Sequence, residues 1–170
     1  MASGESGALP DSVTVDNDVG AGELGAIVEQ HGRLYRAEYD LDARFEAYVA
    51  KGIADVVLSP TEPTARFWIV RRDGRFAGGA AVCTTTDGSA QFRWFLLEPD
   101  LRGLGLGRRL LREAVDHCRA AAYDKVFLWT IDALEAAAHL YREVGFTESE
   151  RHHRSPWGPP VVEVRYDLSL

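Results

Sequence analysis

Apolar residues along the chain alternate in some stretches and recur at three- and four-residue spacing in others, the signatures of strands and amphipathic helices. Residues 12–15 alternate and predict a short first strand. Over 22–39, Leu24, Ile27, Val28, Leu34 and Tyr35 form a helical stripe, with an interruption expected at Gly32. Asp42 is placed to cap a second helix running to about Leu58, with Phe45, Val49, Ile53, Val56 and Val57 turned inward. Two runs, 66–72 and 75–85, flank Asp73-Gly74, a strong two-residue hairpin signal, and Asp87-Gly88 leads into a further strand ending at Leu97. Gly78-Gly79 marks a bulge or a close backbone approach.

In the second half, Leu110, Leu111, Ala114, Val115 and Cys118 form one face of a third helix. The short apolar strand 126–130 suits the middle of a sheet covered on both sides. A fourth helix over 133–144 is closed by Gly145 as its C-cap. Residues 146–154 and 161–168 read as a last hairpin, joined by a Pro- and Gly-rich loop that carries Trp157. The small, Gly/Ser-rich residues 1–10 are expected to be a mobile tail, and 59–64 a connector. Residues 11–170 are expected to form one domain of order β-α-α-β-β-β-α-β-α-β-β, without internal repeats.

The chemistry concentrates between Gln91 and Leu111. An aromatic and aliphatic strand turns at Glu98-Pro99-Asp100 and meets Arg102-Gly103-Leu104-Gly105-Leu106-Gly107-Arg108, from which the third helix begins. Alternate glycines let a backbone approach a ligand without intervening Cβ atoms, and the helix start aims free N–H groups at the same spot. Such a loop is a seat for phosphate oxygens. A nucleotide P-loop would need Gly-Lys followed by Ser or Thr, and Gly107-Arg108-Arg109 does not supply it. A dinucleotide fingerprint needs an acidic residue ending the next strand, whereas Asp124 precedes it.

Composition narrows the partners. A net charge of −7 argues against nucleic acid, which needs a basic face, and is compatible with cationic amines. Apolar content of 46% with 26% charged residues is that of a soluble globule, and no apolar run is long enough to span a membrane. Cys83 and Cys118 make no metal or redox pattern; buried free thiols in a reducing cytosol are expected. The adjacent His152 and His153 lack partners at ligand spacing, so no metal site is expected.

Strand, Glu-Pro-x-x-Arg-Gly-x-Gly-x-Gly, helix, strand, helix and then Leu140-Tyr141-x-x-x-Gly145-Phe146 together resemble the GNAT superfamily of acetyl-CoA-dependent N-acetyltransferases, over roughly residues 91–150. The resemblance implies an α+β sandwich, with a mixed, mostly antiparallel seven-stranded sheet flanked by four helices. His31, Leu34-Tyr35, Glu38-Tyr39, Asp42, Arg44-Phe45-Glu46, Leu128-Trp129-Thr130 and His152-His153 further resemble the acetyltransferase half of proteins that fuse a MarR-type winged helix to such a domain. This chain carries no winged helix, so DNA control does not follow.

Residue by residue, the resemblance implies that the amides of Arg102, Gly103, Leu104, Gly105, Leu106, Gly107 and Arg108 hold the coenzyme pyrophosphate. Leu96 and Leu97 would supply the backbone for the pantetheine arm, and the Leu97 amide an oxyanion donor. Arg102 and Arg108 are the expected side-chain phosphate contacts. Tyr141 would stand beside the coenzyme sulfur and donate its proton. Leu134 replaces the asparagine that many members place seven residues before this tyrosine. The central strand has no carboxylate, so candidates for a general base are Glu38, Glu46, Glu98, His31 and one of His152 and His153. His31, Tyr35, Glu38, Tyr39, Arg93, Trp129, His152 and Trp157 are the expected acceptor residues. Glu38 would orient an ammonium group and Arg93 a carboxylate.

The function so implied is acetyl transfer from acetyl-CoA to a primary amine of a small, amino-acid-like molecule, without metal, in the cytoplasm. A homodimer is left open. A non-catalytic acyl-CoA-binding module and a protein-lysine acetyltransferase are the alternatives. Without a strong base, an α-amine of ordinary pKa near 8 is a better acceptor at neutral pH than a lysine amine near 10.4.

Overall fold

The computed structural model of the chain describes residues 10–59 and 65–170. Except for Pro10 and Ser59, the tail expected over 1–10 and the connector over 59–64 lie outside the described residues. The elements follow in the expected order. They are β1 (Val13–Asp16), α1 (Glu23–Tyr39), α2 (Ala43–Val57), β2 (Ala65–Arg72), β3 (Arg75–Thr84) and β4 (Ala90–Leu97), then α3 (Leu106–Ala120), β5 (Lys125–Ile131), α4 (Glu135–Val144), β6 (Thr147–Arg154) and β7 (Val161–Ser169).

The seven strands form one mixed sheet in the order β1-β2-β3-β4-β5-β7-β6. Every pairing is antiparallel except β4 with β5. The β2–β3 turn has φ of 51° at Asp73 and 74° at Gly74, the paired positive values that a two-residue hairpin of matching twist requires. One core lies between the sheet and α3, where Leu110, Leu111 and Cys118 are fully buried; each such leucine contributes roughly 1.5–3 kcal/mol. The other lies against α1 and α2 and contains Ile27, Phe45, Val49, Ile53, Ile69 and Trp94. This is the α+β sandwich with four helices.

Local expectations fail at three points, each for a packing reason. Helix α1 is continuous through Gly32, because one glycine in a helix interior costs only about 1 kcal/mol and the buried stripe outweighs it. A Cβ at Gly32 would meet only the Glu46 side chain of α2, whose exposed carboxylate end can move aside. Val57 in the last turn of α2 is exposed rather than inward. Strand β5 alternates, with Val126 and Leu128 buried in the α3 core while Phe127 and Trp129 are half-buried on the other face, where Ile131 is the buried residue, so its α1/α2-side face is only partly covered. Asp42 does cap α2, its carboxylate accepting from the Arg44 N–H at 2.9 Å.

Helix α1 buries two polar side chains. Gln30 donates through Nε2 to the Ala77 carbonyl at 3.1 Å and to Glu98 at 3.2 Å. His31 Nδ1 stands 2.8 Å from the Ile27 carbonyl, which can only accept, so Nδ1 carries the proton. Burial pulls the His31 pKa down to about 4, with the Ile27 bond opposing. An unfolded histidine titrates near 6.5, so between pH 6.5 and 4 the unfolded chain binds more protons and stability rises with pH. The His31 contribution is fully present above about pH 6.5 and is lost toward pH 4, an effect of about 3 kcal/mol. Urea midpoints should therefore fall less steeply with acid in His31→Gln than in the parent chain over that window. Parallel slopes would show that His31 is already charged.

Candidate active site

The site begins with a break in the alternation of β4. Ala81 pairs with Arg93 and Gly79 with Leu96, so β4 carries one residue more than β3 across this step. Trp94 takes up the extra residue with φ of 51°, in the left-handed region that costs an L-residue roughly 1–2 kcal/mol. Phe92 packs into the α3 core, Trp94 into the α1/α2 core against Phe67, and Phe95 again on the α3 side. Arg93 and Trp94 thus share one side of the sheet. The Arg93 guanidinium lies 4.7 Å from the Trp94 ring centre and stands against Gly52 of α2.

Beyond the bulge, β4 runs close along β3 and parts from β5. Gly78 has φ of 146°, and a Cβ there would collide with the Leu96 carbonyl oxygen, so only glycine permits this approach. The parallel pairing of β4 with β5 covers only Ala90 with Val126 and Gln91 with Phe127. The Leu96 carbonyl and the Glu98 N–H both face β3, the latter bonding Ala77 at 3.0 Å. By alternation the Leu97 N–H and carbonyl point into the opening between β4 and β5. There the carbonyl accepts from Arg102 Nε at 3.1 Å.

A cavity of about 100 Å³ occupies this opening, with His31, Tyr35, Arg93, Trp129, Tyr141 and Trp157 among its lining residues. Tyr141 is buried among Phe95, Phe146 and Tyr166, with ring centres 6.3, 6.1 and 5.7 Å away. Burial raises its pKa, with Tyr35 and Tyr166 adding to the effect, so the phenol stays protonated. Its hydroxyl has no hydrogen bond among the described residues. Tyr35 stacks between His31 and Phe45, and its pKa is likewise raised by burial. The β6–β7 loop roofs the cavity. Trp157 packs on Phe45 and Tyr48 at 5.0 and 5.3 Å, and its carbonyl accepts from the Asp42 N–H at 2.9 Å.

The glycine loop stands at the other end of β4. Gly103 and Gly105 have φ of 77° and 79°, and Gly105 begins α3 without any side-chain cap. The first-turn amides of α3, Leu106, Gly107 and Arg108, therefore lack partners and present a positive helix end. Gly107 meets the core, since a Cβ would lie 3.2 Å from Phe95 and 3.4 Å from Leu140. Backbone donors, a loop open at both Gly103 and Gly105, and the Leu97 amide make a continuous track that fits a pyrophosphate joined to an extended amide arm and a thioester.

Several expected residues stand elsewhere. Glu38 does not line the cavity; its carboxylate pairs with Arg102 Nη1 at 2.7 Å. Arg108 pairs with Glu143 at 2.9 Å, so both guanidinia are engaged; the Arg102 N–H, expected as a phosphate donor, is also taken, donating to the Pro99 carbonyl at 3.3 Å, which leaves the amides from Gly103 onward as the donors of the loop. Glu98 is held by Arg33 and Gln30, and Glu46 is exposed. His152 stacks on Trp129 from outside and contacts Glu150 at 3.1 Å. Tyr39 and His153 line a neighbouring cavity of about 390 Å³, between Ile131, Asp132 and the β6–β7 loop. Leu134 lines the Tyr141 cavity and begins α4 with no side-chain cap. Two features escaped the sequence. The Trp94 bulge has no local signal, and Glu163 of β7, which lines the cavity, sits within an ordinary alternating strand, where only its register with Ile131 of β5 shows the face it takes.

Among the described residues no helix is long and apolar enough to cross a membrane, and no group of three or more His, Cys, Asp or Glu is placed to hold a metal.

The model of the Acetyltransferase (GNAT) family matches residues 29–146, more than half of the chain. The IAA acetyltransferase of Azospirillum brasilense is 33% identical over 110 residues, covering 64% of this chain and 71% of that protein. An N-acetyltransferase of Schizosaccharomyces pombe is 27% identical over 143 residues, 79% of this chain and 83% of its own. Among solved structures, a GNAT-family acetyltransferase from Staphylococcus aureus Mu50 superposes with a TM-score of 0.73 at 17% identity, over 93% of this chain and 99% of that one. The yncA protein of Salmonella typhimurium, solved with its cofactor acetyl-CoA, gives 0.66 at 18% identity, over 94% and 95%. Family match, sheet and glycine loop agree: the chain belongs to the GNAT family and is an N-acetyltransferase enzyme that uses acetyl-CoA.

Proposed function

We propose that the acceptor is the primary amine of a small molecule that also carries a carboxylate, such as an α-amino acid. Arg93 carries this reading. It is half-buried, lines the Tyr141 cavity and has no carboxylate partner among the described residues, whereas Arg102 and Arg108 are both engaged. An unpaired guanidinium facing a cavity favours an anionic ligand group, and its planar fork matches a carboxylate. The roof formed by Trp157 favours a small acceptor over a peptide. The narrower likeness to the MarR-fusion branch belongs to this proposal, as does a cytoplasmic setting.

Acetyl-CoA supplies the thioester. In this reading the amides of 103–108 hold its pyrophosphate and the Leu97 N–H receives charge developing on the carbonyl oxygen. Neutral Tyr141 gives its proton toward the departing sulfur, acting as an oriented donor in an apolar wall. Phe95 and Trp157 exclude water, which strengthens both contacts.

Three measurements test these assignments. Acetyl-CoA at a hundredfold excess over its dissociation constant should stabilise the parent chain by about 2.7 kcal/mol, and Gly103→Val or Gly105→Val should abolish that thermal shift. An intact shift in both variants would remove the phosphate seat from the loop. Tyr141→Phe should keep the shift while turnover falls roughly tenfold to a thousandfold, and parent-like turnover would leave Tyr141 a core residue. Arg93→Gln should raise the KM for amino acids at least tenfold and leave uncharged amines unaffected. Equal effects on both acceptor types, or a parent chain that acetylates lysine peptides and no small amine, would overturn the carboxylate reading.

A further inference from the structure

Glu163 is the only carboxylate, among the described residues, that lines the Tyr141 cavity. It stands on β7 in register with Ile131 of β5 and His152 of β6. Its neighbour Val164 is buried in the α3 core, so alternation along β7 turns Glu163 to the opposite face, the one that carries Trp129 and Ile131. Its side chain is 20% exposed. Taking a carboxylate this far out of water is costly unless polar partners replace the water. The partner present is partial: Arg154 Nε lies 3.3 Å from Oε2, and among the described residues no hydrogen bond reaches either oxygen. The other carboxylates near the cleft are committed, Glu38 to Arg102 and Glu98 to Arg33 and Gln30.

We infer that Glu163 receives the acceptor's ammonium group and takes its proton before attack. The inference deepens the small-amine reading above but needs only that the acceptor is an amine. One proton passes from the ammonium nitrogen to the Glu163 carboxylate and on to solvent. The neutral nitrogen then bonds to the thioester carbon while the carbon–sulfur bond breaks. The remaining surplus proton on nitrogen leaves as the sulfur gains one from Tyr141, which is reprotonated. The balance is one amide, one thiol and one released proton for each ammonium and thioester consumed. Glu163 and Arg93 together, on β7 and β4, would hold an ammonium and a carboxylate on the two walls of one cavity, the recognition a zwitterion needs.

The charged and titratable groups around Glu163 are Arg154 and His152 from β6, Arg165 from β7, Arg93 from β4, His31 and Tyr35 from α1, Tyr48 from α2 and Tyr141 from α4. The test follows thiol release between pH 6.5 and 9 for the parent chain, Glu163→Gln and Glu163→Asp, with whichever amine the parent acetylates best. In Glu163→Gln, kcat/KM for the amine should fall about a hundredfold at pH 7. The deficit should shrink as pH approaches the amine's own pKa, because solvent then supplies the neutral form. The acetyl-CoA thermal shift should stay unchanged, and Glu163→Asp should recover part of the rate. Parent-like kcat/KM at pH 7, or a deficit equal at pH 7 and 9, would overturn the proposal. If Glu163→Gln melts below the parent, the same pH comparison is read on Glu163→Asp, whose shorter arm should give a smaller deficit of the same pH form. A preference for lysine peptides would sink the small-acceptor reading and leave the Glu163 comparison to be made on the peptide.

Discussion

A tryptophan held at φ of 51° in the middle of β4 is the constraint on which the cleft depends. The extra residue places Arg93 and Trp94 on the same side of the sheet and returns Phe95 to the side of Tyr141. It also coincides with the parting of β4 from β5, which leaves a sheet opening lined by main-chain groups that no strand pairs. Backbone strain of this kind persists where the surroundings over-determine it. Here Phe67 stacks on Trp94 from one side, at 5.8 Å, and Arg93 lies over its ring. Gly78 allows β3 to follow the displaced strand closely, while Gly79 makes the close approach to the Trp68 carbonyl of β2.

The electrostatics of the cleft follow from what is already neutralised. The glycine loop offers amide dipoles, while Arg102 and Arg108 are balanced by Glu38 and Glu143. Burial keeps His31 uncharged and Tyr35 and Tyr141 protonated. Around the reacting centre the protein therefore supplies hydrogen-bond donors and a low-dielectric wall, with Arg93 and Glu163 as the charged side chains in the lining. Cys83 and Cys118 take no part; burial pushes both thiols up to about 11.

What the sequence made legible was local. The Asp73-Gly74 turn, the Asp42 cap, the Gly145 helix end and the glycine loop each depend on a conformation that one or two residue types favour, so their letters announce them. Strand order and helix faces followed from periodicity. The bulge stayed hidden because tryptophan at positive φ is imposed by packing and is not a preference of the residue. The partners of Glu38 and Arg108 stayed hidden because they lie 64 and 35 residues away, and ion pairing at that range has no sequence pattern. Gly32 misled because the buried stripe of α1 outweighs the small helix cost of one glycine. Glu163 lay in plain alternation, and only strand register showed which wall it faced.

Strand β7 comes after β6 along the chain yet lies inside it in the sheet, between β5 and β6. The final hairpin can close locally, β6 against β7, but it is the second strand of the hairpin that must then meet β5. The glycine loop and Tyr141 belong to earlier, contiguous elements, whereas the roof joins Trp157 to Asp42 across most of the chain length. Contacts so distant in sequence close late, since loop-closure entropy must be overcome first. The two halves of the cleft therefore differ in range: the part that resembles a coenzyme seat is built from neighbouring stretches of chain, and the wall that would select an acceptor rests on contacts between residues far apart in sequence.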